Sequence, residues 1–221
     1  MFNIPPLFND MRRLGEITAV FLLFVFLVFG VLSLSGNLTA GPRVIDDNQI
    51  YLLTPQLEQS SFSKVLYNDL RIRLLAYRRL LPVYSTHKIA AVALYQTNLA
   101  CWSIHTGLIV VLTAVFLYLF LRKVGFSVAE GLLFALLTLL GEQSIIWWKL
   151  LHGEGLGMLF FSLSLVCIAY SIQDVNRSRK WTCCFVVFAC LASLSKESFI
   201  LILPALACWY VWLRKQSKNI A

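Results

Sequence analysis

Charge is what this sequence has least of. Only 14% of its 221 residues are Asp, Glu, Lys or Arg, where soluble domains carry about 25%. Hydrophobic residues reach 59% and mean hydropathy is +0.75, well above the soluble average of about 45–50% apolar. That shortage excludes a soluble globular enzyme and a charged, disordered tail. Six prolines and eleven glycines without a period exclude a collagen-like repeat. The six cysteines form no C-x-x-C pair, which argues against a zinc site or a redox motif. They lie in or beside apolar stretches, where free cysteine behaves as a small hydrophobe. Internal repeats and low-complexity segments are missing too.

Long apolar runs are what is there. A helix needs about 20 such residues to cross a bilayer, and six stretches qualify as candidates. They are Ile17–Leu34, Cys101–Leu121, a stretch from Ser127 through Leu140 with Trp148 as its alternative end, Leu156–Ile172, Trp181–Leu194 and Phe199–Leu213, the fifth being short. The first runs longer than the core of a signal peptide and ends in a poor cleavage site, so it reads as a retained anchor. The third opens on Ser127 and Glu130, an S-x-x-E capping box. The expected fold class is therefore all-α: a polytopic bundle of about six transmembrane helices, residues 1–221 forming a single module.

The net charge of +8 belongs to this pattern and not to nucleic-acid binding, because no basic stripe with interleaved aromatics stands apart from the apolar runs. Arg12/Arg13, Arg122/Lys123, Arg177/Arg179/Lys180 and Arg214/Lys215 flank the runs, where the positive-inside rule places basic residues on the cytoplasmic side. Alternating six spans satisfies all four groups and makes both termini cytoplasmic. Three segments then face the other side: a long one over 35–99, a second over 141–155 and a short one over 195–198. Within the long segment, Val65–Val83 reads as an amphipathic helix with Leu66, Leu70, Leu74, Tyr77 and Leu81 in one stripe, ended by Pro82. A basic amphipathic helix of this kind lies on a membrane surface. Trp147 and Trp148 read as an interfacial belt.

The same topology gathers Asp46, Asp47, Glu142, His152, Glu154, Lys196 and Glu197 on the extracytoplasmic side. Carboxylates can serve as bases and cations can hold a phosphate. Arg71, Arg73, Arg78 and Arg79 of the amphipathic segment can join them. Weaker patterns fall away. His152-Gly153-Glu154 has no following P-C-x-x-C. Gly153, Gly155 and Gly157 follow no strand. A lone His105 near the outer start of a span reads as a packed or capping residue.

Four stretches together resemble the GT-C superfamily of polytopic glycosyltransferases, in particular the protein O-mannosyltransferase-like members and the membrane region of TPR-containing O-mannosyltransferases. They are Val44-Ile45-Asp46-Asp47 after the first span, and His105 to Arg122-Lys123-Val124-Gly125. The third is Leu133-Phe134-Ala135 with Glu142, Trp147-Trp148, His152, Glu154 and Phe160-Phe161. The fourth is Leu194-Ser195-Lys196-Glu197-Ser198 running into Leu203-Pro204-Ala205-Leu206. The order holds over nearly the whole chain.

The resemblance implies a sugar transfer from a polyprenyl-phosphate donor to an acceptor on the extracytoplasmic side, by a single inverting displacement. It implies Asp46 or Asp47 as catalytic base, and Lys196 with Arg71 and Arg78 facing the donor phosphate. Glu142, His152, Glu154 and Glu197 would support them, without a cofactor; nothing in the sequence indicates a metal. His152 stands where such enzymes usually carry Arg, and Glu142 falls slightly early. Members of the group are longer. The chain thus also resembles one part of a split enzyme, completed by a second polypeptide, or a non-catalytic subunit of a larger membrane complex. The expected partners are membrane lipid and the lipid-linked sugar, and the bacterial inner membrane is favoured over the endoplasmic reticulum.

Overall fold

The structure, a computed structural model, describes residues 10–36, 38, 48–140, 147, 150 and 153–218. Among them are nine α-helices and no strand. They are α1 (Asp10–Leu34), α2 (Asn48–Gln59), α3 (Phe62–Tyr77), α4 (Pro82–Tyr95), α5 (Leu99–Val124), α6 (Val128–Leu139), α7 (Gly153–Gln173), α8 (Ser178–Ser195) and α9 (Leu203–Lys218). A 3₁₀ turn over Glu197–Ile202 joins the last two. The fold is an all-α bundle.

Among the described residues, four helices are long and apolar enough to cross a membrane: Leu14–Leu34, Leu99–Val124, Gly153–Gln173 and Glu197–Lys215. The third and fifth expected spans fall short of that. Helix α6 has 12 residues, about 18 Å at 1.5 Å per residue, against a hydrocarbon core of about 30 Å. Helix α8 has 18 residues but spends its first turn on Ser178, Arg179 and Lys180.

Helix α5 is central, with Val110, Val111, Ala114 and Tyr118 fully buried. It runs antiparallel to α1. Gly107, near the start of α5, lies against Leu32 and Phe29 at the end of α1. At the other end the Arg122 Nε donates to Glu16 at 2.8 Å. Helix α7 runs parallel to α5, because Gly155 approaches Ile109 while Lys123 sits 4.1 Å from the Tyr170 ring centroid. Gly125 and Gly153 therefore lie at opposite ends of the bundle, and α6 lies between them in sequence. The Ser127–Glu130 capping box opens α6 with both reciprocal hydrogen bonds formed. Helices α7 and α8 form an antiparallel hairpin, marked by the stacked pairs Tyr170–Trp181 and Phe160–Phe188. Helix α9 turns back along α8, where Arg214 donates to the Ser178 hydroxyl and Tyr210 meets Thr182.

The bundle thus has two chemically different ends. One carries Arg122, Lys123, Arg177, Arg179, Lys180, Arg214 and Lys215. The other carries a cap of α2, α3 and α4, the start of α7 and the turn between α8 and α9.

The cap departs from the expected single surface helix over Val65–Val83. Helix α3 stops at Tyr77, and Arg78 takes a left-handed conformation (φ 53°, ψ 36°). Pro82 opens α4 at its first turn and does not end α3. A proline's fixed φ and missing N–H suit a helix start. The expected apolar stripe is buried only in part: Leu81 is buried, and Leu66 packs on the cap's core with Leu70 half-buried. Leu74 and Tyr77 are exposed, while Val65 is buried and Asp69 and Arg73 follow it one and two turns on, facing inward. Trp147 is no interfacial residue. It is 2% exposed, packs among α1, α5 and α6, and donates from Nε1 to the Thr138 carbonyl at 3.1 Å.

Candidate functional site

At the capped end the chain brings four helix termini together. Helix α8 closes at Ser195, and Lys196 adopts extended backbone angles (φ −155°, ψ 132°) while its N–H still caps the Ala192 carbonyl. This aims the ammonium at the first turn of α7, where Nζ lies 2.6 Å from Glu154 Oε1. A carboxylate at a helix N-terminus is favoured by the helix dipole. Next along the chain, Glu197 pairs with Arg79 of the α3–α4 link at 3.3 Å. Its second oxygen, Oε2, is buried without a hydrogen-bond partner among the described residues. Gly153 makes the close approach possible. A Cβ there would lie 2.6 Å from the Ser195 carbonyl oxygen and 3.4 Å from the Tyr84 ring.

Tyr84 connects this turn to a second ionic cluster inside the cap. Arg73 and Lys88 lie over its ring, 4.8 and 5.7 Å from the centroid. Asp69 accepts from Lys88 at 2.7 Å and from Arg73 at 2.9 Å. Lys88 also donates to Gln49 of α2 at 3.3 Å, so one ammonium, 1% exposed, fastens three helices. Burial works against the Asp69 carboxylate, but the Lys88 hydrogen bond, the Ser85 hydroxyl and the Lys88 and Arg73 charges hold it below its ordinary pKa. Burial also lowers the pKa of Lys88, helped by Arg73 and opposed by Asp69.

Beside this cluster, His87 and His105 share a hydrogen bond between their Nε2 atoms at 2.8 Å, and Tyr95 meets His105 Nδ1 at 3.3 Å. Burial, then the His105 charge, push the pKa of His87 down to about 4. His87 is thus neutral at pH 7. His105 is a packed, hydrogen-bonded histidine, as its position in the sequence suggests.

Of the residues singled out from sequence, Asp46, Asp47, Glu142 and His152 lie outside the described residues. Helix α2 begins at Asn48, directly after Asp47. Lys196, Glu154, Glu197 and Arg79 come together. Arg71 and Arg78 make no ion pair among the described residues. Arg71 is two residues from both Asp69 and Arg73, which puts it on the far side of α3, and Arg78 is exposed at the bend.

Sequence reasoning missed Asp69, Lys88, Tyr84 and Gln49. Two signals pointed to them: the Asp69–Arg73 i,i+4 spacing, and a lone lysine before the apolar run Ile89–Leu94, where charge is costly unless paired. All six cysteines are free. Among the described residues no three His, Cys, Asp or Glu side chains converge as a metal site.

Fold and site together define a multi-pass, all-α membrane protein with an ionic cap on one end of its bundle. Comparison with family models, curated proteins and solved structures yields no match to this chain.

Proposed function

We propose that the protein is a GT-C-like glycosyltransferase, or the N-terminal module of one, that moves a sugar from a polyprenyl-phosphate donor to an acceptor at the capped end. One observation supports this reading most. The end opposite the basic residues holds a cation and carboxylate site at a junction of four helix termini, and α2 starts there immediately after Asp46-Asp47. In this reading Asp46 or Asp47 takes the acceptor proton. Lys196, released from Glu154, faces the departing phosphate. A phosphate leaves as a stable anion, so cations aimed at it matter more than a general acid. The reaction inverts the anomeric centre and needs no prosthetic group. Basic residues at the other end make that end cytoplasmic, both termini with it, and the bacterial inner membrane is the favoured location.

One observation favours a second reading, a non-catalytic membrane subunit that works with another polypeptide or a larger complex. The Lys196 ammonium is already committed to Glu154 at 2.6 Å, as a purely structural ion pair would be.

The test is transfer of radiolabelled sugar from a polyprenyl-phosphate donor by the purified full chain in liposomes. The first reading expects transfer that Asp46→Asn or Asp47→Asn abolishes. It also expects Lys196→Met to slow transfer by about 10²-fold, the usual effect of losing one charge-stabilising group. No transfer by intact protein, together with recovery in a complex of much larger mass, selects the subunit.

A further inference from the structure

A groove of about 580 Å³ lies between α2 and α3, and Arg71 in its wall stands across α3 from the Asp69–Lys88 cluster. Gln56 forms its α2 wall. Asn68, Arg71, Ile72, Leu75 and Ala76 form the other. The spacing of these five, 0, 3, 4, 7 and 8, makes them one stripe of a helix. Ile72 and Leu75 are 57% and 67% exposed. Arg71, Asn68 and Gln56 make no side-chain hydrogen bond or ion pair among the described residues.

The groove therefore offers one guanidinium, two amides and exposed aliphatic surface, and no carboxylate. Around it on α3 stand exposed Tyr67 and Leu74, and the further cation Lys64. The one acid of α3, Asp69, is turned inward and neutralised by Lys88 and Arg73. The outward charge of this helix is thus wholly positive. Water does not suit such a surface, but the boundary of an anionic bilayer does: the arginine takes the phosphate while aliphatic side chains meet glycerol and acyl chains.

We infer that this groove binds the phosphate headgroup of an anionic phospholipid and holds the cap on the membrane surface. The occupant is bulk lipid and not the sugar donor, because α3 stands between Arg71 and the turn that holds Lys196. The inference goes beyond sugar transfer and stands whether or not the chain is an enzyme.

The full chain, purified in detergent, is analysed by native mass spectrometry after addition of phosphatidylglycerol or of phosphatidylcholine with the same acyl chains. Wild type retains phosphatidylglycerol in preference. Arg71→Gln weakens that retention about fivefold, the share one basic residue contributes near an anionic surface, with phosphatidylcholine unchanged. Arg71 is exposed and unpaired among the described residues, so the variant should elute and unfold as wild type does. Leu75→Gln, with the charge intact, weakens retention of both lipids. Millimolar inorganic phosphate leaves the bound lipid in place. Equal retention of the two lipids, an Arg71→Gln variant that binds as wild type does, or displacement by inorganic phosphate would each overturn the assignment.

Discussion

Lys88 occupies the most demanding position in the chain. A nearly fully buried ammonium loses several kcal/mol of hydration, which only close partners return. Asp69 and Gln49 supply them, and the Tyr84 ring adds a cation–π contact. His87 meets burial differently, by staying neutral. Its pKa falls from 6.5 to about 4, so between those values the unfolded chain binds the proton more readily. Stability therefore rises with pH across that window, is complete above about pH 6.5, and is lost as pH falls toward 4. The shift corresponds to a change of order 3 kcal/mol. Thermal unfolding of the detergent-solubilised protein should show a melting temperature that drops from pH 6.5 to pH 4.5. His87→Gln should flatten that slope, and an unaltered slope in the variant would assign the pH dependence elsewhere.

Among the helices, α7 and α8 form the most extensively packed pair. The start of α7 is glycine-rich where the end of α8 and the turn after it pack against it. A Cβ at Gly157 would come within 2.4 Å of the Phe199 ring, whereas one at Gly30 in α1 meets nothing within 4 Å. Gly157→Ala should destabilise by about 1–3 kcal/mol, the usual cost of overpacking. Gly30→Ala should be neutral or slightly stabilising, since alanine is the better helix former. Melting temperatures of the two variants check this, and equal effects would contradict the packing at Phe199.

Elements with a local cause could be read from the sequence. The start of α6 follows from two residues, Ser127 and Glu130. The end of α5 follows from Arg122-Lys123 and Gly125 after an apolar run, whereas α9 continues past Leu213 through Arg214 and Lys215. The cap could not be read this way. Whether Pro82 ends one helix or starts the next depends on Arg78 accepting a left-handed conformation, which tertiary contacts decide. The inward face of α3 is polar because its partner, Lys88, comes from another helix 19 residues on. Periodicity weighs only apolar residues, so it found Leu66, Leu70 and Leu81 but included the exposed Leu74 and Tyr77 and passed over Asp69 and Arg73. Trp147 misled for the same reason: a tryptophan near a span end suits an interface or a core, and the Thr138 carbonyl settled it. Of the candidate site, the Lys196-Glu197 turn and Glu154 could be found from the charge pattern. Their junction with the Asp69–Lys88–Tyr84 cluster required the fold.

Across the whole molecule, the lysines and arginines of one end directly flank the apolar helices, while most of those at the other end belong to the cap, where Arg73, Arg79, Lys88 and Lys196 pair with acids. If the bundle spans a membrane, the two ends face different compartments, and the capped end holds Lys196, Glu154 and Arg71. Single cysteines introduced into a cysteine-free chain, in sealed inverted and right-side-out vesicles, test this with a membrane-impermeant maleimide. Ser198→Cys and Arg71→Cys should label only from the extracytoplasmic side, and Arg179→Cys only from the cytoplasmic side. Labelling of Ser198→Cys and Arg179→Cys from the same side would contradict the account.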